Sequence, residues 1–254
     1  MALVWSKHSQ GVRYEVRSAG RTMRLYTDGV FHSQYNPHQI LTGHVWDLLM
    51  LPALFYPKNT IKRVLVLGVG GGAAIHMLRH FVAPQKIVGV ELNPVHLSVA
   101  RRFFGLKHQS IELIKADAVE WLRQYRGDGF DMIIDDLFTE LDGEPVSVVK
   151  ADAHWFSDML KHLNQDGVIV RNFISRQALM ESAGLTHKAT AKKFASIFQL
   201  TSCFNENFVG VYSKRPVTSA QLRRHLIATP GLNPELKTSR LRYRIRTLAS
   251  QVTD

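Results

Sequence analysis

A chain of 254 residues is long enough for one domain with a large core and a small appendage. Its formal net charge of +11 implies attraction to anions without naming a nucleic acid. The lone Cys203 excludes an intramolecular disulfide framework and suits a reducing compartment. No secretory leader is seen, and no apolar run approaches the roughly 18 residues that a membrane span needs, so a cytoplasmic protein off the membrane is expected.

From the N-terminus, residues 11–34 predict β-structure. Val12, Tyr14 and Val16 alternate, Ser18-Ala19-Gly20 suits a hairpin turn, and Asp28-Gly29 marks a second turn before Val30-Phe31. Residues 38–51 carry Ile40, Leu41, Val45, Leu48 and Leu49 at helical spacing, ending near Pro52. Next come Val64–Leu67, an unbroken apolar run as in a strand buried on both faces, and then Gly68, Gly70, Gly71 and Gly72. Ile75, Met77, Leu78 and Phe81 follow at helical spacing. A strand, glycine turn and helix in that order let the backbone approach a ligand and aim the helix N-terminus at it. A dinucleotide, an adenosyl cofactor and tight packing all fit this signal.

Strands are predicted again at Ile87–Glu91, Ile111–Ala116, Asp131–Asp135 and Val168–Phe173, with helices at 94–104, 119–125 and 151–163. Such alternation argues a mostly parallel sheet with helices on both faces and a ligand at the strands' carboxyl ends. Gly68, Glu91, Asp117 and the pair Asp135-Asp136 all fall at such ends. Glu91 would accept from ribose hydroxyls. Asp117 is placed to reach an adenine amino group or to cap the helix after it. Asn172 ends the last parallel strand and could touch substrate or bond its neighbouring loop. Residues 177–196 are expected to be helical. Ile197–Cys203 and Phe208–Ser213 then read as a hairpin joined by Asn205-Glu206-Asn207. A closing antiparallel hairpin favours a Rossmann-like class I methyltransferase fold over a dehydrogenase.

With these motifs in place, residues 10–215 resemble the spermidine synthase family, aminopropyltransferases built on that fold. The resemblance rests on Asp28-Gly29-Val30, Val64 to Gly68 with its glycines, Val90-Glu91, Ala116-Asp117-Ala118 and Phe130 to Asp136. It implies that Glu91 binds ribose, Asp117 adenine, and that Asp136 is the catalytic acid, with Asp135 the alternative. The departures are specific. Gly71 stands where the family's glycine loop carries an Asp against the aminopropyl end of decarboxylated S-adenosylmethionine. Leu137-Phe138-Thr139 replaces the segment with a second, amine-holding Asp. Thr42 to Trp46, with His44, replaces a Tyr-x-acid segment, and His32 stands in place of a cofactor-binding Gln. A polycation needs several carboxylates. Gly71 also removes a charge that would repel the carboxylate of intact S-adenosylmethionine. The expected cofactor is therefore S-adenosylmethionine, with the decarboxylated form as the alternative. The expected reaction is methyl transfer to a small amine or hydroxyl, with aminopropyl transfer second and a non-catalytic nucleoside-binding scaffold third.

The histidines show no metal-ligand spacing backed by carboxylates, so no metal is expected. Leu137–Val149 is expected to be a long loop over the site, a candidate lid. The domain reading is a small β unit at 1–37, the transferase domain at 38–215 and a basic helical extension at 216–254. Arginines at 223, 224, 240, 242, 244 and 246 make that extension a candidate surface for an anionic partner. A homodimer is compatible with all of this.

Overall fold

The computed structural model describes residues 1–141, 144–203 and 205–249. Four antiparallel strands open the chain in sequential order: β1 (Ala2–Ser9), β2 (Val12–Ala19), β3 (Thr22–Thr27) and β4 (Val30–Tyr35). The second predicted turn is in place, while the first falls at Gly20-Arg21 because Ser18 and Ala19 stay paired in β2 with Met23 and Thr22. At the second, Asp28 and Gly29 take positive φ, as a two-residue hairpin needs. β1 was not expected. It is an edge strand with mostly exposed side chains, so its sequence has no clean alternation.

The helix expected over residues 38–51 is shorter: α1 spans Val45–Met50 and tightens into a 3₁₀ turn over Leu51–Phe55. Asp47 explains the late start. Its buried carboxylate accepts the Thr42 and Gly43 N–H groups at 2.8 and 2.9 Å, which holds residues 42–43 in a turn.

The second sheet has eight strands. In chain order these are β5 (Arg63–Leu67), β6 (Lys86–Glu91), β7 (Ile111–Lys115), β8 (Phe130–Asp135), β11 (Leu163–Phe173), β12 (Ser196–Ser202), β13 (Asn205–Ser213) and β14 (Arg244–Leu248). Across the sheet they run β14-β12-β13-β11-β8-β5-β6-β7. β5 through β8 and β11 are parallel, while β13 runs antiparallel between β11 and β12. Strand order reverses between β5 and β8, which opens a crevice at their carboxyl ends. The sheet is buried on both faces. Val64 and Val66 of β5 join one core, and Leu65 and Leu67 join the other. The helices are α2 (Ala73–Met77, continued by a π turn over Leu78–Val82), α3 (Pro94–Arg102), α4 (Ala118–Gln124) and α5 (Ala153–His162). A third cluster, Tyr14, Val16 and Leu25 against Val95, Val99 and Phe104, seats the N-terminal sheet on α3.

Four expectations need correction. Residues 177–196 form three short helices, α6 (Arg176–Met180), α7 (Ala183–Thr186) and α8 (Lys188–Ala191), with extended backbone at Ser182 and His187 separating them. Leu137–Val149 is a hairpin stem, β9 (Phe138–Leu141) paired with β10 (Glu144–Ser147), and Asp142-Gly143 lie outside the described residues. Asn205 to Asn207 belong to β13, where Asn205 pairs with Ser202. The basic extension is not all helix. α9 (Ser219–Ala228) starts with a Thr218–Gln221 capping box, but β14 joins the sheet edge beside β12.

Candidate cofactor and acceptor site

Glu91 ends β6 and braces the glycine turn. Its Oε2 accepts the Val69 and Gly70 N–H groups at 3.1 and 2.8 Å, and its Oε1 accepts that of Asn93 at 2.8 Å. Burial pushes its carboxyl upward, and these three donors pull it back. His96 stands 3.8 Å from Oε1, with its other ring nitrogen on the Thr27 hydroxyl at 2.9 Å. His32 leans on His96, ring centroids 4.9 Å apart, and its buried Nε2 has no partner among the described residues. Burial lowers both rings to about 4, so both are neutral at pH 7. A neutral ring can donate or accept, which suits His32 to a ligand atom at this corner.

The glycines are set by close neighbours as well as by any ligand, backbone at Gly68 and Gly70 and side chains at Gly71 and Gly72. A Cβ at Gly68, whose φ is +84°, would fall onto the Asp136 carbonyl. One at Gly71 would fall onto the Phe104 ring and the Ser33 side chain. Gly70 backs onto the His32 carbonyl and Gly72 onto Leu106. Ser33 also accepts the Ala73 N–H at 3.3 Å, so β4 closes over the turn.

Asp117 caps α4. Its Oδ1 accepts the Val119 and Glu120 N–H groups at 2.9 and 3.0 Å, and its Oδ2 makes no hydrogen bond among the described residues. Capping and ligand contact are therefore compatible.

The two aspartates at the end of β8 separate. Asp135 is buried, and its Oδ2 accepts Trp155 Nε1 at 2.7 Å and Arg171 at 2.6 Å. The same guanidinium donates to the Ser147 hydroxyl and the Val149 carbonyl, pinning the β9-β10 stem. Asp135 is thus committed to an internal ion pair. Asp136 faces the rim. Its N–H donates to the Leu67 carbonyl, and its Oδ1 accepts Asn172 Nδ2 at 2.8 Å. Asn172 in turn accepts Asn207 Nδ2 at 3.1 Å. Burial, with Asp135 and Glu91 as further negative charges, raises the Asp136 carboxyl to about 6. The structure brings Gly68, Glu91, Asp117, Asp136 and Asn172 to one rim. His44 instead packs with Phe31 and Trp46, at 5.1 and 5.6 Å between ring centroids, with no hydrogen bond to Asp136 or Asn172 among the described residues. Among the described residues there is no group of three or more His, Cys, Asp or Glu arranged to hold a metal.

Residues 46–214 match the model of the spermine/spermidine synthase domain. The chain belongs to that family. Among its curated relatives, polyamine aminopropyltransferase 2 of Caldanaerobacter subterraneus is 25% identical over 166 residues, covering 64% of this chain and 54% of that protein. A polyamine aminopropyltransferase of Neisseria meningitidis is 26% identical over 157 residues. The matches thus span 54% and 58% of the length of these two relatives. The spermidine synthase of Thermotoga maritima has the same fold, with a TM-score of 0.64 at 20% identity over 93% of this chain and 80% of that one. Human methyltransferase-like protein 13, solved with SAH, gives 0.55 at 19% identity over 71% and 86%. Among the described residues no helix is long and apolar enough to cross a membrane.

Asn207, which the sequence reading assigned to a turn, is a rim neighbour that it missed, through its bond to Asn172. Its signal was position: it lies next to Phe208, which pairs with Phe173 at the end of β11. The Asn172 amide favours the charged form of Asp136, so Asn172→Ala should raise the Asp136 carboxyl further. The check is a ¹³C-carboxyl titration by NMR, with wild type titrating near 6. An unmoved midpoint in the variant would remove Asn172 from this role. The same shift gives a stability trend. Between 3.8 and about 6 the native state holds this proton more tightly than the unfolded chain does, so Asp136's contribution to stability falls as pH rises through that window.

Proposed function

We propose that this chain binds intact S-adenosylmethionine and transfers its methyl group to a small amine or hydroxyl acceptor. The single observation that carries this reading is the rim's charge. Acids stand at Glu91 and Asp117 on the nucleoside side, whereas among the described side chains Asp136 is the one acid bonded to Asn172 on the acceptor side. A polyamine would need several carboxylates there. The stretch around His44 and Trp46 has an acid, Asp47, but it is spent on its own turn. At Gly71 a carboxylate has no room beside Phe104 and Ser33. A relative in Drosophila melanogaster, 22% identical over 73% of this chain, is named an eEF1A lysine and N-terminal methyltransferase homolog, a name that supports this reading.

The sulfonium already makes a good leaving group, so the protein supplies position. Glu91 Oε1 and Asp117 Oδ2 have capacity for ribose and adenine donors, and His32 Nε2 for another polar atom of the cofactor. Asp136 Oδ2 accepts a hydrogen bond from the acceptor's N–H or O–H and holds its lone pair toward the methyl group. It takes the proton as the new bond forms. Because the ionised form is needed, turnover should rise with pH through about 6.

The second reading, aminopropyl transfer from decarboxylated S-adenosylmethionine, is favoured by the names of the polyamine aminopropyltransferases among its relatives. Calorimetry on wild type separates the two. Binding of the intact cofactor at least tenfold tighter than the decarboxylated form supports methyl transfer, and the reverse order puts aminopropyl transfer first. Returning the missing acid is not a clean swap. Gly71→Asp should lower the melting temperature, because overpacking costs about 1–3 kcal/mol before any charge is buried.

A further inference from the structure

Arg240, Arg242, Arg244 and Arg246 alternate with Leu241, Tyr243 and Ile245. The apolar set packs on the core beneath the sheet, and all four arginines are exposed. Arg244 and Arg246 stand on β14, the outermost strand, opposite Thr201 and Gln199 of β12. Among the described residues no carboxylate lies within 4 Å of any of the four, whereas Arg223 nearby is paired with Glu235 at 2.9 Å. Arg242 donates only to backbone carbonyls, of Ser239 and Leu241, which leaves its charge uncompensated. Four guanidinium charges close in sequence, with no carboxylate partner among the described residues, are unfavourable to each other, and an anion laid along them would relieve that.

Two of the charges also have a pitch. Arg244 and Arg246, two residues apart on β14, repeat at about 6.7 Å along the sheet edge, and Arg240 and Arg242 carry the alternation into the irregular segment that leads into the strand. At the foot of the edge, Thr247 and Leu248 line a cleft of about 400 Å³ with Phe194, Ser196, Thr218 and Ser219. We propose that this ridge binds the phosphate backbone of a nucleic-acid strand. A phosphodiester chain carries one charge per residue at a regular repeat and presents paired oxygens to a guanidinium fork. An acidic protein surface has no such repeat to match. The protein's excess of cations agrees in sign with such a partner. The ridge is separate from the cofactor rim. Four strand spacings of about 4.8 Å place β14 about 19 Å from β8, so its occupation does not depend on which transfer the rim performs.

The test is fluorescence anisotropy with labelled single-stranded RNA and DNA of about twelve nucleotides, from about 50 to 200 mM salt. Wild type should bind one or both, with a log–log salt slope near −2 to −3, as expected for three or four phosphate contacts on a single strand at about 0.7 each. R244Q/R246Q should bind at least tenfold more weakly, with a slope shallower by about 1.4. R244K/R246K keeps the charge and should stay within about threefold of wild type. Circular dichroism melting and S-adenosylmethionine calorimetry on both variants confirm that the fold and the rim are intact. No binding by wild type at the lowest salt overturns the proposal. So does equal binding by the Gln variant, or competition by polyglutamate as strong as by the oligonucleotide at matched charge; this last result would point to an acidic protein instead.

Discussion

Asp135→Ala is expected to cost about 3–5 kcal/mol of stability, the largest stability loss anticipated for any residue at the rim. The carboxylate is buried, and so is its partner Arg171. Removing it strands a guanidinium whose Nε already lacks a partner among the described residues, and it also leaves Trp155 Nε1 without an acceptor. The damage should spread to the β9-β10 stem, because Arg171 holds Ser147 and Val149 with the same group. Asp136→Asn makes the contrast. It keeps the shape and loses a carboxyl that burial already disfavours as an anion, so its stability should stay within about 1 kcal/mol of wild type. Transfer, however, should fall by about 10²–10⁴, the range for losing a positioned proton acceptor. Urea denaturation of both variants checks this. A loss under about 1 kcal/mol for Asp135→Ala would mean that the ion pair carries little, and the separation of the two aspartates into structural and rim roles would fail.

That separation could not be read from the sequence. Asp135 ends a strand buried on both faces and Asp136 follows it, so no alternation marks which side chain turns inward. What decides it is Arg171 on the neighbouring β11 and Trp155 on α5, contacts set by tertiary pairing. The parallel strands and glycine turn were legible because long apolar runs and positive-φ glycines are local signals. β14 was not legible: it holds only Arg244–Leu248, its burial does not alternate cleanly, and the arginine density around it suggested a helix face. The His32–His96 contact joins residues 64 apart in the chain, and no local pattern announces it. The apolar spacing over residues 38–51 gave no sign that Asp47 would bond the Thr42 and Gly43 N–H groups and hold a turn before α1.

The cofactor corner gives the second large effect. Glu91→Ala should weaken adenosyl-cofactor binding by about 1.5–3 kcal/mol, roughly 10- to 150-fold in Kd. Glu91 has two functions in this arrangement. Oε2 is fully occupied by the Val69 and Gly70 N–H groups, which holds the glycine turn in its ligand-ready shape. Oε1 takes only Asn93 N–H and has acceptor capacity left for a ribose hydroxyl. Alanine removes both the brace and the acceptor. Glutamine should rescue little, because one end of its amide would turn N–H donors toward either the glycine turn or Asn93, where N–H donors already point. The measurement is calorimetry with S-adenosylmethionine and its decarboxylated form, alongside thermal melting to confirm the fold. Both ligands should lose affinity by the same factor, since both carry the ribose and differ only at the far end. A folded Glu91→Ala variant with unchanged affinity would show that the carboxylate braces the turn without touching the ligand. A loss confined to one of the two forms would place Glu91 beside the amino-acid end of the cofactor and move the ribose to another part of the rim.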